Sequence, residues 1–183
     1  MNEPEFKKNY RQAAKLLQER FGYENVHQVP QIKKVVISCG TCEQFVADKQ
    51  NIEQVKKNLS QITGQQPVIT KAKKAISNFK TRELQPLGAM ITLRGSRMYS
   101  FLERAFNYAF PRIPDFNGFK RKSNGTGTYS CGIRDVGIFV EIHPDAYKCA
   151  HGMNITITTT AKNDEECLLL LEHMGFPFRR RSS

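Results

Sequence analysis

Two cysteines separated by two residues form the feature of this sequence most typical of redox or metal chemistry. The stretch CGTC places Cys39 and Cys42 in a turn directly after an apolar, β-branched segment. Such a turn can lower a thiol pKa or donate two ligands to zinc. Cys149 and His151 are the candidates for the two further ligands of a zinc site. A redox or zinc site is one interpretation, and two ordinary small residues in a tight turn are the other.

Other catalytic patterns are absent from the sequence. The histidines at positions 27, 143, 151 and 173 have no motif spacing with serine, cysteine or carboxylate residues. The segment NGTGT, residues 124–128, contains G-x-G but lacks the third glycine and the preceding strand of a phosphate-binding loop. We therefore expect a protein that is not an enzyme and that holds no cofactor or metal.

The positive charge of the chain is concentrated in its middle. The net charge is +11, and the span from Gln54 to Arg134 has fifteen Lys or Arg against three acidic residues. The rest of the chain has thirteen basic and fourteen acidic residues. This partition favours a basic face on a folded domain, and the partner of such a face is an anion such as nucleic acid.

The sequence also favours a compartment. Five cysteines, an odd number in a chain of 183 residues, do not make a disulfide framework and favour a reducing compartment. The first residues differ from a secretory or import signal, so we expect the protein to act where it is made. No run of about 18 apolar residues occurs, and we therefore expect no contact with a membrane.

The segment TKAKKAISNFKTRE, residues 70–83, combines basic and apolar residues. As a helix it would be amphipathic, with a solvated basic face. As an extended arm it would place its cationic side chains at phosphate spacing, and the near absence of acids around it favours binding. Both conformations remain open from the sequence. Its basic residues are Lys71, Lys73, Lys74, Lys80 and Arg82.

Hydrophobic periodicity predicts a single α+β domain over residues 1–183, a two-layer sandwich with a mainly antiparallel sheet and helices on one face. Helices are predicted within 1–22, from about 48 to 64, from a cap at Ser96 to 109 before Pro111, and after a cap at Asn163 or Asp164. Strands are predicted at 32–40, 66–70, 88–95, 137–142 and 154–160. Residues 112–137 predict an extended loop or hairpin.

Several collinear blocks resemble a known family. They are ITGQQPVITKAKKAISNFKTRELQPLGAMITLRGSRMYSFLER, PRIPDFNGF, GTYSCGIRD, FVEI, GMNITITTTAKNDEE and GFPFR. In this order they are similar to the bacterial-type ribosomal protein five of the large subunit, over nearly the whole chain from Phe21 to Arg179. The stretch FGYENVHQVPQIKK resembles the plastid branch somewhat more than the common bacterial one. The resemblance therefore favours a ribosome of the plastid stroma, with the bacterial cytoplasm as the alternative.

The resemblance implies a non-catalytic protein of the central protuberance that binds 5S rRNA and large-subunit rRNA. It also implies contact with the transfer RNA in the peptidyl site and a bridge to a small-subunit ribosomal protein. A general RNA chaperone or repressor is the alternative function.

Site residues follow from the same resemblance. The implied 5S rRNA-binding residues are Ser38, Gln65, Thr92, Arg94 and Arg97. The implied transfer-RNA loop spans residues 71–88 and contains the five basic residues named above. The implied bridge contact lies near residues 112–137, with Arg112 and Arg134 as its charged residues. This chain departs from the family pattern at Ser38, usually Asn, at Asn117, and at the shortened Ser123–Gly125 turn, so these contacts are expected to be altered.

Overall fold

The computed structural model describes residues 5–40, 49–79, 81–142 and 151–179. Within these ranges the chain forms four α-helices and five β-strands. In chain order they are α1 (Glu5–Phe21), β1 (Ile32–Gly40), α2 (Lys49–Thr63), β2 (Val68–Lys71), β3 (Pro86–Leu93), α3 (Gly95–Arg104), β4 (Thr128–Ile133), β5 (Met153–Thr159) and α4 (Asp164–His173). Helices and strands are thus combined with one sheet, and the predicted α+β fold is confirmed.

The five strands form one sheet in the order β2-β3-β1-β5-β4. β2 and β3 are antiparallel, with Val68 opposite Met90. Burial alternates along the strands: in β5, Ile155 and Ile157 are buried, whereas the intervening Thr156 is partly exposed. Since neighbouring side chains of a strand point to opposite faces, each such strand turns its apolar residues to the core and its polar residues outward.

The chain divides into two compact units, and the first comprises Met1–Val35, Leu93–Cys131 and Thr156–Ser183. In this unit α1 packs against α3 and α4. Leu17, Phe101 and Leu170 are fully buried there. Each such side chain contributes about 2 kcal/mol by leaving water. α1 ends where sequence predicts, because Gly22 adopts φ +64 and donates its N–H to the Gln18 carbonyl.

The second unit comprises Val36–Thr92 and Gly132–Ile155. α2 buries residues at three- and four-residue steps, which is why this segment is helical. They are Ile52, Val55, Leu59 and Ile62. Gly88 of β3 lies so close to β1 that a Cβ atom added to it would collide with the Cys39 carbonyl oxygen. Glycine is therefore required where these two strands meet.

Helix α3 differs from its prediction at both ends. It begins at Gly95, so Ser96 lies inside the helix. Gly95 has a φ of +60, which changes the direction of the chain between β3 and α3. Arg94 holds the N-cap position without a side-chain hydrogen bond. The predicted cap at Ser96 is therefore wrong. Beyond Arg104 the α-helix changes into a π-helical turn and then a 3-10 turn, Phe110–Arg112, which includes Pro111.

The predicted strand at residues 137–142 is also wrong. A 3-10 turn, Val136–Ile138, occupies its first part, and Asp135 caps this turn by accepting the Gly137 N–H at 2.8 Å. Val136, Phe139 and Ile142 are buried, and their three-residue steps match a helical turn rather than an alternating strand. Conversely, the predicted extended region 112–137 includes a regular strand, β4.

Candidate nucleic-acid interface

Gln65 and Thr92, two residues implied to bind 5S rRNA, lie together in the second unit. Gln65 follows the end of α2, and its side-chain Nε2 donates a hydrogen bond to the Thr92 backbone oxygen at 3.3 Å. The Thr63 hydroxyl orients the turn from α2 to Gln65, because it donates to the Leu59 carbonyl at 2.6 Å and accepts the Gln65 N–H at 3.4 Å. The amide of Gln65 is therefore held beside β3.

Thr92 itself is partly exposed between the buried residues Ile91 and Leu93 of β3. Ser38 is likewise partly exposed and lies on β1, the strand next to β3. The remaining two residues of this set, Arg94 and Arg97, are exposed at the start of α3 in the first unit. Three uncharged polar side chains thus lie on adjacent elements of the second unit, at partly exposed positions.

The segment between β2 and β3, here called the basic hairpin and comprising residues 72–85, is neither a helix nor a free arm. Ala72 donates its N–H to the Gln85 carbonyl at 2.8 Å, and Ile76 and Thr81 exchange two backbone hydrogen bonds of 3.0 and 3.2 Å. Ala72 is buried at the base. The amphipathic-helix interpretation is therefore wrong, and the segment is an irregular hairpin that continues β2 and β3.

The basic side chains of this region face solvent. Lys71, Lys73, Lys74 and Arg82 are all exposed, and Lys80 lies outside the described residues. Two apolar side chains are exposed among them, Ile76 and Leu84. The basic hairpin thus offers both cationic and apolar surface.

The second basic loop, here called the Gly-rich segment and comprising residues 113–127, is tied to α4. The carboxylate of Asp164, the first residue of α4, accepts the N–H groups of Gly125 at 3.0 Å and Gly127 at 3.4 Å. Thr159 donates its hydroxyl to the Gly127 carbonyl at 2.6 Å. The G-x-G turn therefore uses its N–H groups to bind a carboxylate of the chain itself.

A further set of contacts holds the same region near the end of α4. The Arg121 guanidinium makes two hydrogen bonds of 2.8 and 2.7 Å to the Glu172 carboxylate and lies 5.5 Å from the centre of the Phe178 ring. The hydrogen bonds from Arg121 hold the pKa of Glu172 below its ordinary value. Phe119 also pairs with the C-terminal segment, because it donates its N–H to the Pro177 carbonyl and accepts the Arg179 N–H.

Both implied bridge residues are exposed, whereas one of the positions that depart from the family pattern is buried. Arg112 and Arg134 are exposed, one in each compact unit. Asn117 is exposed as well. Ser123, however, is buried, and its hydroxyl donates to the Thr128 carbonyl at 2.9 Å. The departure at position 123 therefore serves the turn itself.

Cys39, the first cysteine of the CGTC motif, lies in surroundings unlike those of a reactive thiol. Cys39 is buried, and this burial raises the pKa of its thiol to about 12. Cys131 is buried with its pKa raised to about 12 by the same cause. A reactive thiol has a lowered pKa. Cys42 and Cys149 lie outside the described residues, and among the residues that are described no group of His, Cys, Asp and Glu could hold a metal ion.

Sequence reasoning missed a row of polar side chains in the first unit. The Asn124 amide donates to the Ser130 hydroxyl at 3.2 Å, and Ser130 and Thr156 share a hydrogen bond of 3.2 Å between β4 and β5. The alternation in TYSCGI, buried at Tyr129 and Cys131 but exposed at Ser130, is the signal that could have found β4.

Over the described ranges no helix is long and apolar enough to cross a membrane.

Two protein-family models match this chain. The family model described as "Ribosomal protein L5" matches residues 25–82, and the model for the C-terminus of the same ribosomal protein family matches residues 86–178. The chain belongs to the ribosomal protein L5 family. The two matches lie on either side of residues 83–85, at the end of the basic hairpin. Together they cover Ser38, Gln65 and Thr92, residues 72–82 of the basic hairpin, the Gly-rich segment and α4.

Related proteins named "Large ribosomal subunit protein uL5" are similar to this chain over most of its length. The one from Protochlamydia amoebophila is 51% identical over 163 residues, 89% of this chain and 88% of the relative. The one from Microcystis aeruginosa is 54% identical over 164 residues, 89% of this chain and 91% of the relative. "Large ribosomal subunit protein uL5c" of Arabidopsis thaliana is 48% identical over 164 residues, 89% of this chain and 62% of the relative.

Family membership confirms two predictions. The resemblance to this ribosomal protein family, carried by the collinear blocks, is confirmed over both parts of the chain. The expectation that the chain is not an enzyme is confirmed as well, because its relatives are ribosomal proteins. The protein therefore acts in the ribosome, and its solvent-facing polar and basic residues are candidates for contact with RNA.

Proposed function

We propose that this ribosomal protein is a constituent of the large subunit that binds 5S rRNA in the central protuberance, next to large-subunit rRNA. The observation that carries this proposal is the hydrogen bond from the Gln65 side-chain amide to the Thr92 backbone oxygen, which holds the amide beside β3, the strand that carries the partly exposed Thr92. Folded RNA presents ribose hydroxyls and base edges, which amide and hydroxyl groups recognise.

The three polar residues determine the specificity of this contact. Gln65 is already held in place, so its amide loses little conformational freedom when RNA binds. Thr92 and Ser38 offer hydroxyl groups that both donate and accept. The shorter Ser38 reaches less far than an asparagine, and a water molecule completes its contact. Arg94 and Arg97 neutralise phosphates and add affinity without base readout.

The basic hairpin binds a second RNA, the transfer RNA in the peptidyl site. Lys71, Lys73, Lys74 and Arg82 are exposed, as phosphate contacts require, and Lys80 belongs to the same set. A lysine is a flexible point charge that suits phosphate better than base edges. The hairpin thus adds affinity that depends on salt, because each neutralised phosphate releases counterions.

The Gly-rich segment and Arg134 contribute the bridge to a small-subunit protein. Arg112 and Arg134 are the exposed cations for this contact. The tethers from Asp164 and Glu172 fix the Gly-rich segment before the partner arrives, which lowers the entropic cost of binding. We assign the protein to plastid ribosomes on the resemblance of FGYENVHQVPQIKK to the plastid branch, with a bacterial ribosome as the alternative.

Co-sedimentation with large subunits at high salt tests the ribosomal assignment. We expect the protein to remain with the subunits in a salt wash that removes proteins held only by charge. A general RNA chaperone or repressor would dissociate, since its binding rests on phosphate contacts alone. Release of the protein at the salt concentration that releases a small basic control protein would contradict the proposal.

A further inference from the structure

Leu84 of the basic hairpin combines two unfavourable properties. Its backbone φ is +60, in the left-handed region that residues other than glycine and asparagine rarely adopt. Its side chain is also 69% exposed. Glycine or asparagine would adopt the same backbone with less strain and would expose less apolar surface. The fold of the hairpin therefore gives no reason for a leucine at this position.

The turn around Leu84 is nevertheless held in place by hydrogen bonds. Leu84 donates its N–H to the Ala72 carbonyl at 3.0 Å, and Ala72 is buried at the base of the hairpin. Arg82 donates its N–H to the Gln85 side-chain oxygen at 2.7 Å, and Gln85 donates its N–H back to the Arg82 carbonyl at 3.3 Å. These bonds hold the backbone at Leu84 in its strained conformation, so its apolar side chain is presented at a fixed place.

The charge of the basic hairpin favours one kind of molecule as the partner that covers Leu84. Exposed cations lie along the same hairpin, and Glu83 is the one acidic residue in the sequence between Lys71 and Leu84. An apolar protein partner would have to approach these cations, whereas RNA offers phosphates to them and apolar ribose and base faces between the phosphates. Charge complementarity therefore favours RNA.

We infer that Leu84 is the residue through which the basic hairpin packs against a ribose or an uncovered base face of bound RNA. This inference rests on the proposed contact between the hairpin and the transfer RNA. The cations then supply affinity that weakens with salt, and Leu84 supplies a contact that salt leaves almost unchanged, because burial of apolar surface does not release counterions.

The test compares substitutions that separate the effect of the apolar side chain from the effect of the strained backbone. Leu84→Gly and Leu84→Asn remove the apolar side chain and relieve the strained φ, while Leu84→Met keeps an apolar side chain. Val26→Asn is the matched control, because Val26 is 68% exposed in a 3-10 turn outside the hairpin. Large subunits are reconstituted with each full-length variant, and their affinity for deacylated transfer RNA in the peptidyl site is measured. The thermal unfolding midpoint and the 5S rRNA affinity of each free protein are measured as well.

We expect Leu84→Gly and Leu84→Asn to weaken transfer-RNA binding about fivefold at every salt concentration, from the loss of part of a buried leucine contact. Their unfolding midpoints should stay equal to or rise above that of the unmodified protein, and Leu84→Met and Val26→Asn should bind normally. Unchanged affinity in both the glycine and the asparagine variants would overturn the inference, as would an equal loss of 5S rRNA binding. Failure of the proposed function itself would appear without any substitution, as equal transfer-RNA affinity of subunits reconstituted with and without the unmodified protein.

Discussion

The basic hairpin and the Gly-rich segment are both irregular, basic loops, yet they are built in opposite ways. The basic hairpin is held by backbone hydrogen bonds near its base and turns its cations to solvent. The Gly-rich segment is enclosed by neighbouring backbone and tied down by the side chains of Asp164 and Glu172. A similar basic charge therefore does not imply similar construction. The number of side-chain tethers distinguishes a loop that exposes its charges from a loop that is part of the packed fold.

The largest expected effect comes from filling the space at a glycine of the Gly-rich segment. Gly127 has φ +62, and an added Cβ would collide with the Ala161 carbonyl oxygen. Gly125 has φ +85 but open space around it. Gly127→Ala should lower the free energy of unfolding by about 3 kcal/mol, through backbone strain and displaced packing. Gly125→Ala should lower it by about 1 kcal/mol, through strain alone. Equal losses in urea unfolding would show that the enclosure of this loop is not what fixes it.

A smaller effect should follow from cutting the tether at the start of α4. Asp164→Ala removes the acceptor of the Gly125 and Gly127 N–H groups and should lower the free energy of unfolding by about 1.5 kcal/mol. Glu165→Ala is the matched control, because it removes an acid from the same first turn of the helix and should lower it by about 0.5 kcal/mol. If chemical denaturation gave the same loss for both variants, the helix dipole and not the tether would explain the role of Asp164.

The ion pair at the other end of the segment should contribute less. Glu172→Gln should lower the free energy of unfolding by about 0.5 kcal/mol at pH 7, since both partners are partly exposed. Because Arg121 lowers the pKa of Glu172 in the folded protein, the ionised pair stabilises the fold above the ordinary pKa of 4.5 and loses this effect as pH falls below it. Unfolding curves of the two proteins should therefore converge in acid, and a difference that persisted unchanged into strong acid would contradict this origin.

The basic hairpin should respond in the opposite manner. Lys73→Ala should leave the free energy of unfolding unchanged within about 0.5 kcal/mol, because the side chain is exposed. It should reduce the steepness with which the logarithm of RNA affinity falls against the logarithm of salt concentration, making this negative slope shallower by about one. Filter binding of transfer RNA to reconstituted subunits across a salt series measures this slope. A destabilised protein, or an unchanged slope, would remove the distinction between the two loops.

Much of the fold could be predicted because its signals are local. The alternation around Ile155 and Ile157 and the glycine after α1 each follow from a few neighbouring residues. The failures have a different origin. The turn at Val136 depends on capping by Asp135. Phe139 is buried three residues after Val136, as in a helical turn, although the sequence of this segment also fits a strand. Short apolar segments fit either pattern, and the packing of the rest of the chain decides between them.

The candidate site was predictable in part for a similar reason. The family resemblance implies that Gln65 and Thr92 bind the same RNA. In the structure the two residues, 27 positions apart, are joined by a hydrogen bond from the Gln65 amide to the Thr92 backbone oxygen. No local pattern indicates that Asp164 holds a glycine turn 37 positions earlier in the chain, or that Leu84 adopts a left-handed backbone. These features depend on contacts between distant segments, which periodicity and composition do not encode.

The most direct test of the account is a competition between 5S rRNA and an unrelated structured RNA of equal length across a salt titration. We predict that the unmodified protein prefers 5S rRNA at every salt concentration, and that Thr92→Val reduces this preference about tenfold without changing the salt slope, through loss of one hydroxyl contact. Equal affinity of the unmodified protein for both RNAs throughout the titration would contradict the claim that Ser38, Gln65 and Thr92 recognise 5S rRNA.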